Sequence, residues 1–223
     1  MSQSLIQVIR DIEKTIPIYE QRRIQDNFIG IYAKGKLVSV VSNRYVLVQS
    51  RDLFKEAIMY FKDYIITRHI IKTNLRRHYL YLRFESPSFT EKFIAILINS
   101  VDKSNAIKFL MGVYEKICGN DLIFFHKWWI KHIGQVQQKL DLALPSNLIA
   151  ILYEIQRRGN YLDNEQIEKL KKVVYLNEER INKLLVCPNL LEAYRYLTSL
   201  MPKRYNMAYF DKLHYLYNLL IEA

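Results

Sequence analysis

The sequence predicts an α+β fold in which an N-terminal antiparallel sheet with a packed helix is followed by an all-helical C-terminal region. Before about residue 130, short runs rich in β-branched and aromatic residues alternate with polar turns, which is typical of antiparallel strands. Beyond Gly134, apolar residues recur at helical spacing. We therefore predict a basic α+β domain over residues 1–133 and a helical domain over residues 134–223.

The first predicted elements are a helix and a hairpin. Ser4–Lys14 has one apolar face and begins with a serine that can cap a helix. Pro17 then favours extended backbone. The runs Phe28–Tyr32 and Leu37–Val41 flank Gly35, which can take the positive φ of a hairpin turn. We expect these two runs to pair.

The stretch Val38–Tyr60 predicts a strand, a turn, a second strand and a helix. Ser42 and Asn43 supply the turn, and the residues from Tyr45 to Val48 supply the second strand. Ser50 is the predicted cap of the helix. The apolar face of that helix consists of Leu53, Phe54, Ala57, Ile58 and Phe61.

Further strands are predicted at Ile65–Thr73, His78–Phe84, Phe93–Asn99, Ala106–Lys116 and Leu122–Phe125. The second of these alternates strictly between two faces. In the C-terminal region the spacing of apolar residues predicts six helices, which are separated by prolines and by a Gly-Asn pair. They are Gln135–Leu144, Asn147–Arg158, Asp163–Val174, Asn177–Leu185, Leu190–Leu200 and Met207–Ile221.

The composition indicates a polyanionic partner. The 223 residues carry a formal charge of +11 and include 17 tyrosines. Residues 1–130 contain 20 Lys and Arg against 12 Asp and Glu, so most of the surplus lies in the β region. Nucleic acid is the predicted partner, although a general cationic surface bias would produce the same numbers.

The predicted binding site centres on Tyr64–Phe84, a stretch without acidic residues. Its cations can neutralise phosphates, and an exposed tyrosine can support an unstacked base. The alternative is that the tyrosines are simply good strand formers and the arginines face solvent. The predicted site residues here are Arg68, Lys72, Arg76, Arg77, Tyr79, Tyr81 and Arg83, together with Arg44 at the preceding turn.

A second basic and aromatic segment is His126–Gly134, HKWWIKHIG. Its two histidines match no metal-ligand spacing, so a core tryptophan beside an exposed one is the preferred interpretation. An exposed Trp128 among Lys127, Lys131 and His132 would suit base stacking. We add Lys127, Trp128 and Lys131 to the predicted site.

Catalytic chemistry is not indicated by any motif. The sequence lacks a G-x-x-x-x-G-K loop, and the pair Asp11 and Glu13 lies on a predicted helix, where a nuclease would place its acids on strands. RRHYLYLR does not reproduce the arrangement of a tyrosine recombinase. We predict no catalytic residue, no metal site and no cofactor. A metal-dependent nuclease and a structural or protein-interaction factor stay open as alternatives.

The expected compartment is the cytoplasm. The two cysteines, Cys118 and Cys187, are far apart and form no C-x-x-C, so a disulfide framework is not expected. The N-terminal residues are interrupted by charge and do not predict a signal peptide. The sequence has no apolar run of membrane-spanning length.

Two segments carry a family resemblance. VVSNRYVLVQSRDLF and INSVDKSNAIKFLMGVYEKICGNDL resemble the core of the phage/plasmid-like protein family, a domain of unknown function, over roughly residues 37–125. Lys103 and Asp121 depart from that pattern, where the family has glycines. The matching polar residues of the second segment are Asn99, Ser100, Asp102, Ser104, Cys118 and Asn120.

This resemblance implies a phage, virus or plasmid setting. The strand and helix order is also loosely similar to single-strand annealing proteins of the Erf and RecT kind. We therefore predict a non-catalytic protein that binds or anneals single-stranded DNA in viral or plasmid recombination or replication. Because small sheets leave edges exposed, we also predict a homo-oligomer.

Overall fold

The computed structural model describes residues 4–102, 104, 106–114, 126–132, 145–202 and 207–221. These residues form two antiparallel sheets and seven helices, and the helices lie mostly in the C-terminal part of the chain. The predicted α+β class is therefore confirmed. Among the helices of these ranges, none combines the length and the apolar character needed to cross a membrane.

The chain divides into two compact units. The first comprises residues 1–111 and 126–142, and the second comprises residues 112–125 and 143–223. The domain boundary predicted at residues 133 and 134 adjoins a stretch that the structure does not describe, and it stays a prediction.

The first part of the chain contains two helices and eight strands among its described residues. The elements in chain order are α1 Leu5–Thr15, β1 Tyr19–Gln25, β2 Phe28–Ala33, β3 Lys36–Ser42, α2 Ser50–Met59, β4 Ile65–Thr73, β5 Arg77–Glu85, β6 Lys92–Ser100, β7 Ile107–Tyr114 and β8 His126–Ile130. Strands β1–β3 form a three-stranded sheet in that order, and β4–β8 form a five-stranded sheet in that order.

Helices α1 and α2 pack on one face of the five-stranded sheet. Nε2 of His69 on β4 lies 3.0 Å from Oδ2 of Asp11 on α1. The ring of Phe61, just after α2, lies 4.7 Å from that of Phe84 on β5. The apolar faces predicted for both helices are buried in this way, with Val8, Ile12, Phe54, Ala57 and Ile58 in the core.

The three-stranded sheet contains the predicted hairpin. Gly35 has φ +76° and Lys34 has φ +49°, so the turn uses the left-handed conformation that glycine was expected to supply. One face of the sheet forms a buried cluster of Tyr19, Ile31, Ala33, Val38, Val41, Tyr45 and Val101. Strand β1 was not predicted because its sequence YEQRRIQ is almost entirely polar; beyond Tyr19 all of it is exposed.

The segment before α2 differs from the prediction. The residues from Tyr45 to Val48 form no strand beyond a single bridge at Tyr45. Their backbone groups bond elsewhere: the Val46 N–H donates to the His132 carbonyl, and the Val48 carbonyl accepts from Nδ2 of Asn99. Satisfied in this way, the backbone needs no neighbouring strand.

The predicted cap of α2 is also wrong. Gln49 is the N-cap and makes no side-chain capping bond, whereas Ser50 is the first helical residue. The buried Ser50 hydroxyl instead accepts from Nδ2 of Asn99, 3.0 Å away on β6. A tertiary hydrogen bond has therefore replaced the local one.

The second unit contains the C-terminal helices at the predicted places. They are α3 Pro145–Arg157, α4 Asn164–Lys171, α5 Glu178–Leu185, α6 Leu190–Ser199 and α7 Met207–Ile221. Asp163 and Gln166 form a reciprocal capping box on α4, and Asn177 and Asn189 cap α5 and α6. The predicted helix Gln135–Leu144 and strand Leu122–Phe125 lie outside the described residues.

Candidate functional site

Strands β4 and β5 bring six of the predicted site residues to one face of the five-stranded sheet. Arg68 pairs with Arg83, and Lys72 pairs with Tyr79. Directly opposite residues of an antiparallel pair share a face, and alternation adds Arg77 and Tyr81 of β5 to it. The period-2 pattern therefore placed these side chains correctly relative to one another.

This face is not an open stacking surface. Tyr81 is only 3% exposed, and its neighbours on β6, Ile94, Ile96 and Ile98, are fully buried. Of the two tyrosines expected to offer an exposed ring, Tyr81 is therefore ruled out and Tyr79 is half-buried. Arg68 and Lys72, on the edge strand β4, are exposed.

The loop between β4 and β5 places Arg76 and Arg77 at one end of the sheet. Oδ1 of Asn74 accepts hydrogen bonds from the backbone N–H groups of Arg76 and Arg77, at 2.9 and 2.8 Å. Nε of Arg76 donates to the Val38 carbonyl, and Nε of Arg77 donates to Oγ of Ser104. The loop is thus held in one conformation by polar contacts.

A cleft of about 590 Å³ adjoins this loop. We name it the basic cleft, because its lining contains four cationic side chains and no acidic one among the described residues. It is lined by Lys14, Thr15, Ile16, Pro17, Ala33, Lys34, Lys36, Arg51, Thr73, Asn74 and Leu75. The four cations come from the end of α1, the β2–β3 turn and the first turn of α2.

The three lysines of the cleft are available to a ligand. Lys14, Lys34 and Lys36 are exposed, and their ammonium groups form no hydrogen bond or ion pair with any residue that the structure describes. The nearby carboxylate of Glu13 pairs instead with Lys55, at 3.2 Å. Nothing in the described lining neutralises the lysines, so the potential inside the cleft is positive.

Arg51 has a structural role as well. Its Nη2 donates to the carbonyls of Glu13 and Ile16, at 2.7 and 2.6 Å, and its Nε donates to Ile16 at 3.1 Å. These carbonyls end α1, where a cation is favourable to the helix dipole. Arg51 therefore fixes the end of α1 against α2 and positions Lys14 and Ile16 on the cleft wall.

The sequence interpretation missed Lys14, Lys34, Lys36 and Arg51. They are separated in the chain and none lies in the acid-free stretch. The single local signal was Lys34-Gly35-Lys36, a turn that presents two cations.

None of the predicted site residues whose side chains the structure describes lines the basic cleft. Arg44 and Lys131 are exposed elsewhere on the first unit. Lys127 and Trp128 pair with Leu110 and Phe109 as part of β8, and their side chains lie outside the described part of the chain.

His132 is not the exposed basic residue that was expected near Trp128. It is buried, it stacks on Tyr45 with ring centroids 5.1 Å apart, and its Nδ1 lies 3.1 Å from the Val46 carbonyl. Burial lowers the pKa of its imidazole, so the ring is neutral near pH 7.

A larger cleft of about 710 Å³ lies in the second unit but has a mixed lining. Arg158 and Lys169 stand there with Asp163 and Glu165, and Lys169 forms an ion pair with Glu165 at 2.7 Å. Opposite charges cancel at short range, so this cleft does not attract a polyanion. Across the described residues, no group of three or more His, Cys, Asp or Glu side chains is placed to hold a metal ion.

No protein-family model, curated protein or solved structure matches this chain. The resemblance of residues 37–125 to the phage/plasmid-like family therefore stays a prediction from sequence.

Proposed function

We propose that the first unit binds single-stranded nucleic acid through the basic cleft. The observation that carries this proposal is the convergence of Lys14, Lys34 and Lys36, none of them paired with a described residue, on one concave surface without a described acidic lining. Each lysine that neutralises a phosphate releases condensed counterions, which drives binding without reading sequence.

The shape of the cleft favours a single strand over a duplex. Its apolar wall includes Pro17, which is half-buried, and Leu75, which is 58% exposed. Such a wall can contact an unstacked base, which a paired and stacked duplex does not present. Arg76 and Arg77 follow Leu75 and extend the cationic surface past the margin of the cleft.

The biological setting that we propose is viral or plasmid recombination or replication, where such binding would support strand annealing. It rests on the resemblance to the phage/plasmid-like family and on the loose similarity to annealing proteins. The binding chemistry rests on the cleft and stands without that setting.

The test measures binding of a fluorescent oligo-dT and of a duplex at several salt concentrations. Affinity for the single strand should be higher and should fall steeply with salt. Lys34→Gln with Lys36→Gln should make the slope of log K against log salt shallower by about 1.4, since each single-strand phosphate contact contributes about 0.7. Extrapolated from equal affinities at 1 M salt, the variant should bind the single strand roughly 25-fold more weakly than the parent at 0.1 M salt.

The matched control is Lys171→Gln with Lys172→Gln, which removes two exposed cations from the second unit. We expect it to leave affinity unchanged. Equal losses in the two double variants would show that net charge, and not the cleft, governs binding. Cleavage of the oligonucleotide on addition of Mg²⁺ would favour the nuclease alternative.

A further inference from the structure

The face of the three-stranded sheet opposite the buried cluster carries an exposed apolar patch, with Glu20 and Arg22 of β1 beside it. Phe28 is 48% exposed, Leu37 53%, Val40 50% and Ile24 45%. The register places Leu37 opposite Tyr32 and Val40 opposite Gly30, so these residues lie on the same side as Phe28. We name this surface, made by Ile24, Phe28, Gly30, Tyr32, Leu37 and Val40, the outer face.

Gly30 shapes the outer face. A Cβ at this position would lie 2.7 Å from Cε2 of Tyr32 and 2.8 Å from Cδ1 of Ile24, which is closer than side chains approach. The missing side chain therefore lets the Tyr32 ring and Ile24 lie low over the strand. Phe28, two residues before Gly30, keeps nearly half of its surface open.

A cation already lies against the aromatic part of this surface. The guanidinium carbon of Arg22 on β1 is 4.9 Å from the centroid of the Tyr32 ring, which is cation–π geometry. Arg22 also pairs with Glu20 at 2.7 Å, so it is held in place at the rim.

The outer face adjoins the basic cleft. Tyr32 and Leu37 flank the β2–β3 turn, and the same turn places Lys34 and Lys36 in the cleft lining. A chain that leaves the cleft over this turn therefore meets Tyr32 and Leu37 first and Phe28 farther along β2. Single-strand binding combines cations that contact the phosphates with aromatic rings on which the bases stack, and this path offers first the one and then the other.

Charge favours a polyanion as the occupant of the outer face. The adjoining turn carries Lys34 and Lys36, and Glu20, the acid beside Tyr32, is already paired with Arg22, so a polyanion is attracted to this side of the sheet. An exposed phenylalanine ring on a sheet is a stacking surface for any base, because every base has a π-face.

We propose that the outer face is a stacking platform for the bases of the same strand whose phosphates contact the lysines of the basic cleft. Phe28 is the main stacking residue, and Tyr32 with Arg22 forms the second position. This inference rests on the proposed function of the cleft.

The experiment compares two probes of equal length, an oligo-dT and a fully abasic oligonucleotide. Phe28→Ala should lower affinity for oligo-dT about tenfold and leave affinity for the abasic strand unchanged, since only the first has bases to stack. Phe28→Trp should retain affinity for oligo-dT and show fluorescence quenching beyond that of the parent protein. Tyr60→Ala is the control, because Tyr60 is an aromatic of similar exposure at the end of α2, outside the outer face.

The outcomes separate this inference from the proposed function. If both probes bind in a salt-dependent manner but Phe28→Ala behaves like the parent, the cleft stands and the platform is overturned. An equal loss for both probes overturns the platform as well. If neither probe binds the parent, both proposals fail. If Phe28→Ala changes the oligomeric mass and not the affinity, the outer face is a subunit contact and the platform is overturned.

Discussion

The buried His78 makes stability depend on pH in a way that can be worked out from the structure. His78 lies on β5 and is fully buried. Its Nε2 is 2.8 Å from the Tyr19 hydroxyl and its Nδ1 is 2.6 Å from Oγ1 of Thr73. Burial lowers the pKa of His78 from 6.5 to about 4, because the cationic form loses its hydration.

The sign of the effect follows from proton linkage. Below pH 6.5 the unfolded chain binds a proton at His78 that the folded protein does not bind until the pH is near 4. The stability conferred by the neutral ring is therefore complete above pH 6.5 and is lost as the pH falls toward 4. Its full magnitude is about 3 kcal/mol, of which about 2 kcal/mol is already lost at pH 5. This is a large share of the stability of a typical domain.

The assay is urea denaturation of the parent and of His78→Gln at pH 7 and pH 5. The parent should lose about 2 kcal/mol more than the variant between the two pH values, while the titration of all other groups cancels in the difference. Should the variant fail to fold, an NMR titration of the parent gives the same information: the His78 imidazole should remain neutral down to about pH 5. Equal pH dependence of parent and variant, or a His78 that titrates near 6.5, would refute the reasoning.

Two further predictions concern β6 and assembly. Asn99→Ala should lower the free energy of unfolding by about 2 kcal/mol, because the buried amide joins β6 to the Val48 carbonyl and to Ser50. The control in the same urea titration is Asn43→Ala, which removes only an exposed 3.4 Å hydrogen bond to the Asp26 carbonyl. It should change the free energy of unfolding by less than about 0.5 kcal/mol. A loss at Asn99 no larger than at Asn43 would contradict the structural role. Light scattering at micromolar concentration should show an oligomer of the chain. Among the residues that the structure describes, the Gln49 amide bonds the outer edge of β1 at Tyr19 only, and an open strand edge favours pairing with another chain. A strictly monomeric mass with and without single-stranded DNA would contradict the annealing function and leave simple binding intact.

Among the described residues, the sequence by itself determined the features that depend on neighbours along the chain. The Ser4 cap and apolar face of α1, the capping residues of the C-terminal helices and the Gly35 turn all follow from spacings of a few residues. The alternation of β5 likewise fixed which of its side chains share a face. Local backbone sterics and side-chain periodicity act within a single element, so they are visible without the fold.

The tertiary structure decided which of those faces are open and which cations meet. Tyr81 lies on a covered part of the sheet, where its neighbours Ile94, Ile96 and Ile98 are also buried, and Ser50 bonds Asn99 because α2 packs beside β6. The basic cleft joins Lys14, Lys34 and Arg51, which only long-range packing brings together. Burial and long-range electrostatics depend on residues that are distant in the chain, and no local pattern encodes them.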